Sequence, residues 1–376
     1  MTRAHAVVDL TALAHNVAIV RAAAPASQFL AVVKADAYGH GLVPIAKAAR
    51  EAGAEWLGVA LLEEALELRA SGDEEPILAW LWTPGDPSLG PCLTAGVQVS
   101  VSAMWSLIEV TELAAELGVM ARIHLKIDTG LSRSGADEHE WEELAIAAKA
   151  LQSRGRINVV GIWSHLANAS TANDPTIAKQ RERFLAAVRI ARSAGLEPQL
   201  LHLANSASTL EYPDTQFDLV RIGIAMYGIS PMDPQSAQRL GLRAVMSLHA
   251  QLAHVKTIPA GQSVSYGGKW TATEPTRVGL VPVGYADGIP RAAEGAFVLV
   301  RGLRCAVLGR IAMDQFVIEL PPELGVVKAG EAVLIFGDAS TGAATADDWG
   351  TQSNSIGYEI VTRIGTRIPR EYVSTA

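Results

Sequence analysis

Eight short apolar runs, each followed by a longer stretch of helical period, constrain this chain more than any other feature. The runs are residues 29–33, 56–60, 77–82, 97–101, 122–127, 159–165, 200–203 and 219–224. Runs so short and so rich in Val, Ile and Leu suit strands buried on both faces, which occur in parallel sheets covered by helices. Between them lie segments such as 45–52, 63–69, 140–152 and 177–194, where polar residues interrupt an apolar stripe. Eight such units predict an α/β fold, a closed (β/α)8 barrel of the TIM type over residues 10–235. An open doubly wound sheet is the competitor. It is disfavoured because no Gly-rich nucleotide turn, with an acidic residue at the expected offset, follows the first run.

Beyond Pro231 the texture changes. Alternating segments at 247–257, 277–283, 296–308, 315–320 and 332–336, separated by Gly and Pro, predict a mostly β second domain over 236–376, with the boundary in 231–241. A helix is expected over 353–364, and no long internal repeat or low-complexity tract is present.

Composition narrows the function. The 376 residues are 49% hydrophobic and carry a formal net charge of -8 without a basic stripe, so binding through phosphate neutralisation of nucleic acid is not expected. Apolar runs fall far short of the roughly 18 residues of a membrane span. Asp9 stands where a signal peptide would need an apolar stretch. Only Cys92 and Cys305 are present, giving neither a disulfide framework nor a metal cluster; a reducing cytoplasm fits.

Active sites of such barrels lie at the carboxyl ends of the strands. There Lys34 follows the first run, Asp128 and Arg133 the fifth, His165 ends the sixth, and Asn205 and Ser206 follow the seventh. An amine ending a buried strand is partly removed from water, which lowers its pKa and frees it to form an imine with an aldehyde. For an isolated lysine, a surface lysine in a loop is the favoured reading.

The string Ala31-Val32-Val33-Lys34-Ala35-Asp36-Ala37-Tyr38-Gly39-His40-Gly41 resembles the pyridoxal 5'-phosphate lysine motif of alanine racemases. The resemblance continues in order through Lys126-Ile127-Asp128-Thr129-Gly130-Leu131-Ser132-Arg133, His202-Leu203-Ala204-Asn205-Ser206, Arg221-Ile222-Gly223-Ile224, Ser265-Tyr266-Gly267, Gly284-Tyr285-Ala286-Asp287, Ala312-Met313-Asp314 and Gly357-Tyr358-Glu359. It implies a racemase interconverting L- and D-alanine in a homodimer, with D-alanine feeding peptidoglycan. It also implies that residues 1–9 join the second domain.

By the same resemblance Lys34 and Tyr266 are the two bases, one on each face of the α-carbon, with Tyr266 reaching in from the partner subunit. Ser206, Gly223, Ile224, Tyr38 and Tyr358 would hold the cofactor phosphate. Arg221 would face the pyridine nitrogen, with His165 beside it, both helping the Tyr266 phenol. Arg133 and the Met313 amide would clamp the substrate carboxylate, Tyr285 would limit side-chain size, and Lys126 would be carbamylated. Four positions depart from the family pattern: Leu131 and Ser132 where Met-Gly is usual, Ser170 where an acidic residue is common, and Ala312 in place of a frequent cysteine. The alternatives are a serine or broad-specificity racemase, a non-catalytic pyridoxal-phosphate protein, which would lack the β domain, and a barrel decarboxylase, which would pair the pyridine nitrogen with an acid where Arg221 stands.

Overall fold

The computed structural model describes residues 3–374. Residues 1–2 and 375–376, inside the limits expected for the second domain, lie outside the described residues. The first strand, β1 (Ala4–Asp9), leads directly into a helix over Leu10–Ala23, and the Asp9 carboxylate caps that helix by accepting from Thr11 N at 2.8 Å and Ala12 N at 3.0 Å.

Eight parallel strands follow: β2 (Gln28–Val32), β3 (Trp56–Val59), β4 (Ile77–Ala79), β5 (Gln98–Val101), β6 (Ala121–Lys126), β7 (Ile157–Trp163), β8 (Leu200–His202) and β9 (Leu219–Ile222). Their spatial order is β8-β7-β6-β5-β4-β3-β2-β9. Two backbone bonds close the ring between its end strands, Asp218 N to Leu201 O at 3.0 Å and Arg221 N to Ala204 O at 3.1 Å. The barrel expected from the rhythm of apolar runs is therefore present.

Alternation along each strand explains why both faces must be apolar. On β2, Leu30 and Val32 pack with Trp56, Leu78, Val160, Leu200 and Leu219 in one buried cluster. Phe29, Ala31 and Val33 belong to the larger core that includes the helices. Each Val, Leu or Phe among them contributes about 1.5–3 kcal/mol when withdrawn from water. A strand buried on both sides leaves polar side chains room only at its end or within a paired network.

The rest of the chain forms β10 (Met246–Gln251), β11 (His254–Ile258), β12 (Ser263–Val264), β13 (Trp270–Thr271), β14 (Thr276–Val281), β15 (Phe297–Val300), β16 (Leu303–Leu308), β17 (Phe316–Glu319), β18 (Ala332–Phe336) and β19 (Arg370–Val373). Nine strands make one sheet in the order β11-β14-β17-β16-β15-β18-β10-β1-β19, and β12 and β13 form a separate hairpin. β1 lies antiparallel to β10 and parallel to β19, so the first described strand is part of this second sheet. The alternating segment 247–257 divides into β10 and β11 because Leu252 N bonds Glu331 O while Ala253 N turns to Leu280 O.

The helix expected over 353–364 is not continuous. Helices run over Ala346–Gln352 and Gly357–Thr362, and the first ends where Asn354 takes φ +53° and Ser355 N bonds back to Gly350 O at 2.8 Å. Asparagine accepts this left-handed end of a helix better than most residues. Among the described residues no helix is long and apolar enough to cross a membrane.

Candidate active site

Lys34 leaves the end of β2 half-buried. Burial first, then the Arg133 cation, lowers its pKa, and the Glu64 carboxylate opposes them. That carboxylate also accepts from Ala35 N, Ala60 N and Leu61 N, fastening the loop after β3 to the loop after β2. Ala35, Asp36, Ala37 and Tyr38 all lie at φ between +52° and +55°, one turn of left-handed helix made without glycine. Each such residue costs roughly 1–2 kcal/mol, so the turn must be held from outside. His40 Nδ1–H lies 3.0 Å from the carbonyls of both Ala37 and Tyr38, Asp36 accepts from Leu42 N at 2.7 Å, and Arg370 of β19 reaches Gly39 O at 3.0 and 2.8 Å.

The turn delivers the Tyr38 phenol to β9. A Cβ on Gly223 would sit 2.5 Å from the Tyr38 hydroxyl, so glycine there serves close approach. Ser206, at the start of a short helix after β8, accepts from Gly223 N at 3.0 Å and Ala225 N at 3.5 Å, bringing its hydroxyl against the turn over Ile224–Tyr227. The Tyr38 and Tyr358 rings lie 6.4 Å apart, and burial raises both phenol pKa values, so both keep their protons at neutral pH. Among the described residues the protons of these three hydroxyls have no protein acceptor. Three unspent donors around a tight turn suit a phosphate dianion.

Arg221, on β9, is buried. Its Nη2 donates to Ser164 O at 2.8 Å, Leu203 O at 3.0 Å and His165 Nδ1 at 3.1 Å, and its Nη1 lies 3.3 Å from His202 Nδ1. Burial weakens its hold on its proton, yet a guanidinium stays charged in proteins. His165 is held neutral by burial and by Arg221, Arg133, Lys126 and Lys34, in that order. Because a guanidinium can only donate, Nδ1 of His165 is the acceptor and its Nε2 carries the proton. His165 thus offers a hydrogen bond rather than the positive charge that could have helped a phenol.

Lys126, at the end of β6, is buried with its Nζ donating to Ser134 Oγ and lying 4.4 Å from the Trp163 ring centre. Burial, Arg133 and Arg221 push its pKa down to about 8. Arg133 itself is exposed, in a loop where Ser132 takes φ +57°. Its cation acts on Lys34, Lys126 and His165 together, which puts it at the same mouth.

The remaining predicted residues form a second group. Tyr266 stands in a short turn over Tyr266–Gly268, beside a loop where Ser265 Oγ bonds Arg310 O at 2.6 Å. From there the chain runs to Met313, whose carbonyl accepts from Ala286 N at 2.9 Å, next to Tyr285. Asp287, fully buried, accepts from Gly284 N at 2.9 Å and pairs with Arg3 and Arg367; Arg367 also holds Asp314 at 2.8 Å. Tyr266, Met313 and Tyr285 are 70%, 53% and 37% exposed, and none shares a hydrogen bond or ring contact with the Lys34 group.

One chain thus gathers Lys34, Tyr38, Lys126, Arg133, His165, Ser206, Arg221, Gly223, Ile224 and Tyr358 around the barrel mouth, and presents Tyr266, Tyr285 and Met313 apart from them. Sequence reading gave no role to Glu64, Gln98, His124 or His202. For Gln98, His124 and His202 the available signal was a polar residue inside an otherwise apolar strand; Glu64, on the helix after β3, carried none.

Family models for the alanine racemase N-terminal and C-terminal domains match residues 8–231 and 245–372. The chain is 51% identical over 371 residues to an alanine racemase of Beutenbergia cavernae, covering 98% of each protein. Its fold matches the crystal structure of alanine racemase from Streptomyces lavendulae with a TM-score of 0.97 at 49% identity, covering 100% of this chain and 98% of that one. The alanine racemase of Streptomyces coelicolor matches with a TM-score of 0.96 at 49% identity, covering 99% and 98%.

Proposed function

The chain belongs to the alanine racemase family, isomerases that interconvert L- and D-alanine with pyridoxal 5'-phosphate, and from that premise we propose that Lys34 and Tyr266 are its two proton carriers. When bound, the cofactor supplies an aldehyde for the amines and a conjugated ring that takes up the electron pair left by the departing α-hydrogen. Ser206, Tyr38, Tyr358 and the amides of Gly223 and Ile224 would hold its phosphate, Arg221 its ring nitrogen and Lys34 its aldehyde.

Lys34 Nζ takes or gives the α-hydrogen on one face, burial and the Arg133 cation lowering its pKa and so easing loss of its proton. The Tyr266 phenol serves the opposite face. Arg133 and the Met313 amide bind the substrate carboxylate and orient the α-carbon, while Tyr285 bounds a pocket for a methyl group. Arg221 would donate to the ring nitrogen without yielding its own proton, so the group would supply only a weak electron sink, a setting that favours return of a proton to the α-carbon.

One observation carries this reading: ten of the thirteen predicted site residues lie at the barrel mouth, and the other three, Tyr266, Met313 and Tyr285, are exposed on the second domain. A homodimer in which each second domain completes the partner's barrel accounts for both groups. Leu61, Leu81, Trp105 and Ile108, following β3 to β5, are exposed apolar residues that such pairing would cover. The division falls at 10–235 and 236–376, with 1–9 joining the latter. A cytoplasmic enzyme whose D-alanine supplies peptidoglycan completes the proposal.

Complementation tests it. Lys34→Ala and Tyr266→Phe are each expected to lose racemisation, the first also losing the borohydride-reducible lysine imine. Dissociated and reassociated together, random pairing restores one intact site in half of the dimers, about a quarter of wild-type activity. No recovery from a mixture shown to contain heterodimers would overturn the shared site.

A further inference from the structure

Inside the barrel, below the mouth, four polar side chains from four strands touch in sequence. Arg221 Nη1 on β9 lies 3.3 Å from His202 Nδ1 on β8. His202 Nε2 lies 2.9 Å from His124 Nδ1 on β6, and His124 Nε2 lies 3.0 Å from Gln98 Oε1 on β5. All four are buried, with both histidines fully enclosed.

The direction of this chain is fixed at the Arg221 end. A guanidinium has no acceptor, so His202 Nδ1 must accept and its Nε2 must carry the proton. That proton faces His124 Nδ1, which must accept in turn, leaving His124 Nε2–H for the carbonyl oxygen of Gln98. Turning any member round would set two donors, or two acceptors, against each other in a site without water access. A proton added to either histidine would place a second cation beside Arg221; Arg221 is the charged group that faces both, and burial depresses both histidines. Aromatic rings fix the planes: Trp163 stacks on His202 at 5.6 Å with 2° between planes, and Trp56 meets His124 edge-on at 5.7 Å.

We propose that His202, His124 and Gln98 are positioning residues for racemisation, a one-way hydrogen-bond chain that holds His202 as a neutral acceptor and thereby fixes the orientation of the Arg221 guanidinium. This rests on the reading above that Arg221 meets the cofactor's ring nitrogen. The chain keeps the guanidinium in place from behind, and the carbonyls of Ser164 and Leu203 hold its other nitrogen. Loss of the far end, Gln98, frees His124 to turn and releases His202 from its single orientation.

Two measurements test it. In apoprotein labelled with nitrogen-15 histidine, His202 and His124 are expected as neutral Nε2–H tautomers from about pH 6 to pH 8. An Nδ1–H tautomer or an imidazolium at either position would overturn the chain whatever the cofactor does. In the holoenzyme, Gln98→Leu is expected to shift the His202 resonances and the visible absorption of the bound cofactor. It is also expected to raise cofactor conversion to the amine form per racemisation turnover several-fold, with KM for alanine unchanged. Gln98→Glu, which keeps an acceptor, is expected to restore the His202 resonances. A folded Gln98→Leu with wild-type His202 resonances, absorption and partition would leave Gln98 a packing residue and refute the proposal. Shifted His202 resonances with unchanged cofactor absorption would instead locate the failure in the Arg221–ring contact. Should Gln98→Leu fail to fold, the tautomer measurement on the unaltered chain still decides.

Discussion

Gly223→Ala tests the phosphate cradle through a single methyl. The added Cβ would lie 2.5 Å from the Tyr38 hydroxyl, 3.1 Å from the ring carbon bearing it and 3.6 Å from Val32 Cβ. Ordinary contact begins near 3.4 Å, so the phenol must retreat by about 0.9 Å. It has little freedom to do so. Tyr38 belongs to the left-handed turn, its ring packs on Tyr227 at 4.8 Å, and the Tyr227 hydroxyl is tied to Val32 O at 3.0 Å. A retreat of that size would forfeit the bond to the phosphate proposed for this phenol, and hydrogen bonds to charged groups contribute about 1.5–3 kcal/mol. Cofactor affinity should fall roughly 10- to 150-fold. Titration of apoprotein with pyridoxal 5'-phosphate, followed by absorbance, measures it. The cause is checked by a double-mutant cycle: on a Tyr38→Phe background, where the oxygen is gone, the Gly223→Ala penalty should largely vanish. A penalty that persists undiminished, or an affinity within twofold of wild type in the single variant, refutes the argument.

Other expectations follow from the same geometry. His40, His124, His165 and His202 are all held below the ordinary histidine pKa by burial, His40 to about 4 and His124 to about 3. The unfolded chain therefore takes up protons first: stability is full above about pH 6.5 and falls below it by about 1.4 kcal/mol per pH unit for each group. Apoprotein melting temperatures that stay flat from about pH 6.5 to pH 5 would contradict this. Lys126, pushed down to about 8, has roughly a tenth of its amine free at pH 7 and should add carbon dioxide, releasing a proton. A carbamate carbon signal with labelled bicarbonate, absent in Lys126→Arg, is the check. Ser132→Gly, which relieves a left-handed backbone at an exposed site, should raise stability by up to about 1 kcal/mol in urea titration; a loss would show that the side chain contributes there.

Much of this was legible in the sequence for a simple reason: strands of a closed parallel barrel must be apolar on both faces, and polar residues accumulate where they end. Lys34, His165 and Ser206 stood out on that ground. The turn after Lys34 did not, because Ala-Asp-Ala-Tyr carries no glycine or asparagine to announce positive φ, and its conformation is dictated by His40 and by Arg370. The chain from Arg221 to Gln98 was hidden differently. His124 sits in the middle of an apolar run, and its meaning depends on neighbours 26 and 78 positions away. The rotation of the strands that brings them together has no local signature.

Arg370 lies 331 positions beyond Gly39, whose carbonyl it secures. During synthesis the barrel strands leave the ribosome well before that guanidinium exists, and in the interval the strained backbone beside Lys34 has only its local ties to His40, Asp36 and Glu64. A nascent barrel therefore lacks a finished vitamin pocket. Full cofactor affinity is then expected only once the downstream sheet has docked and brought Arg370 and Tyr358 to the turn.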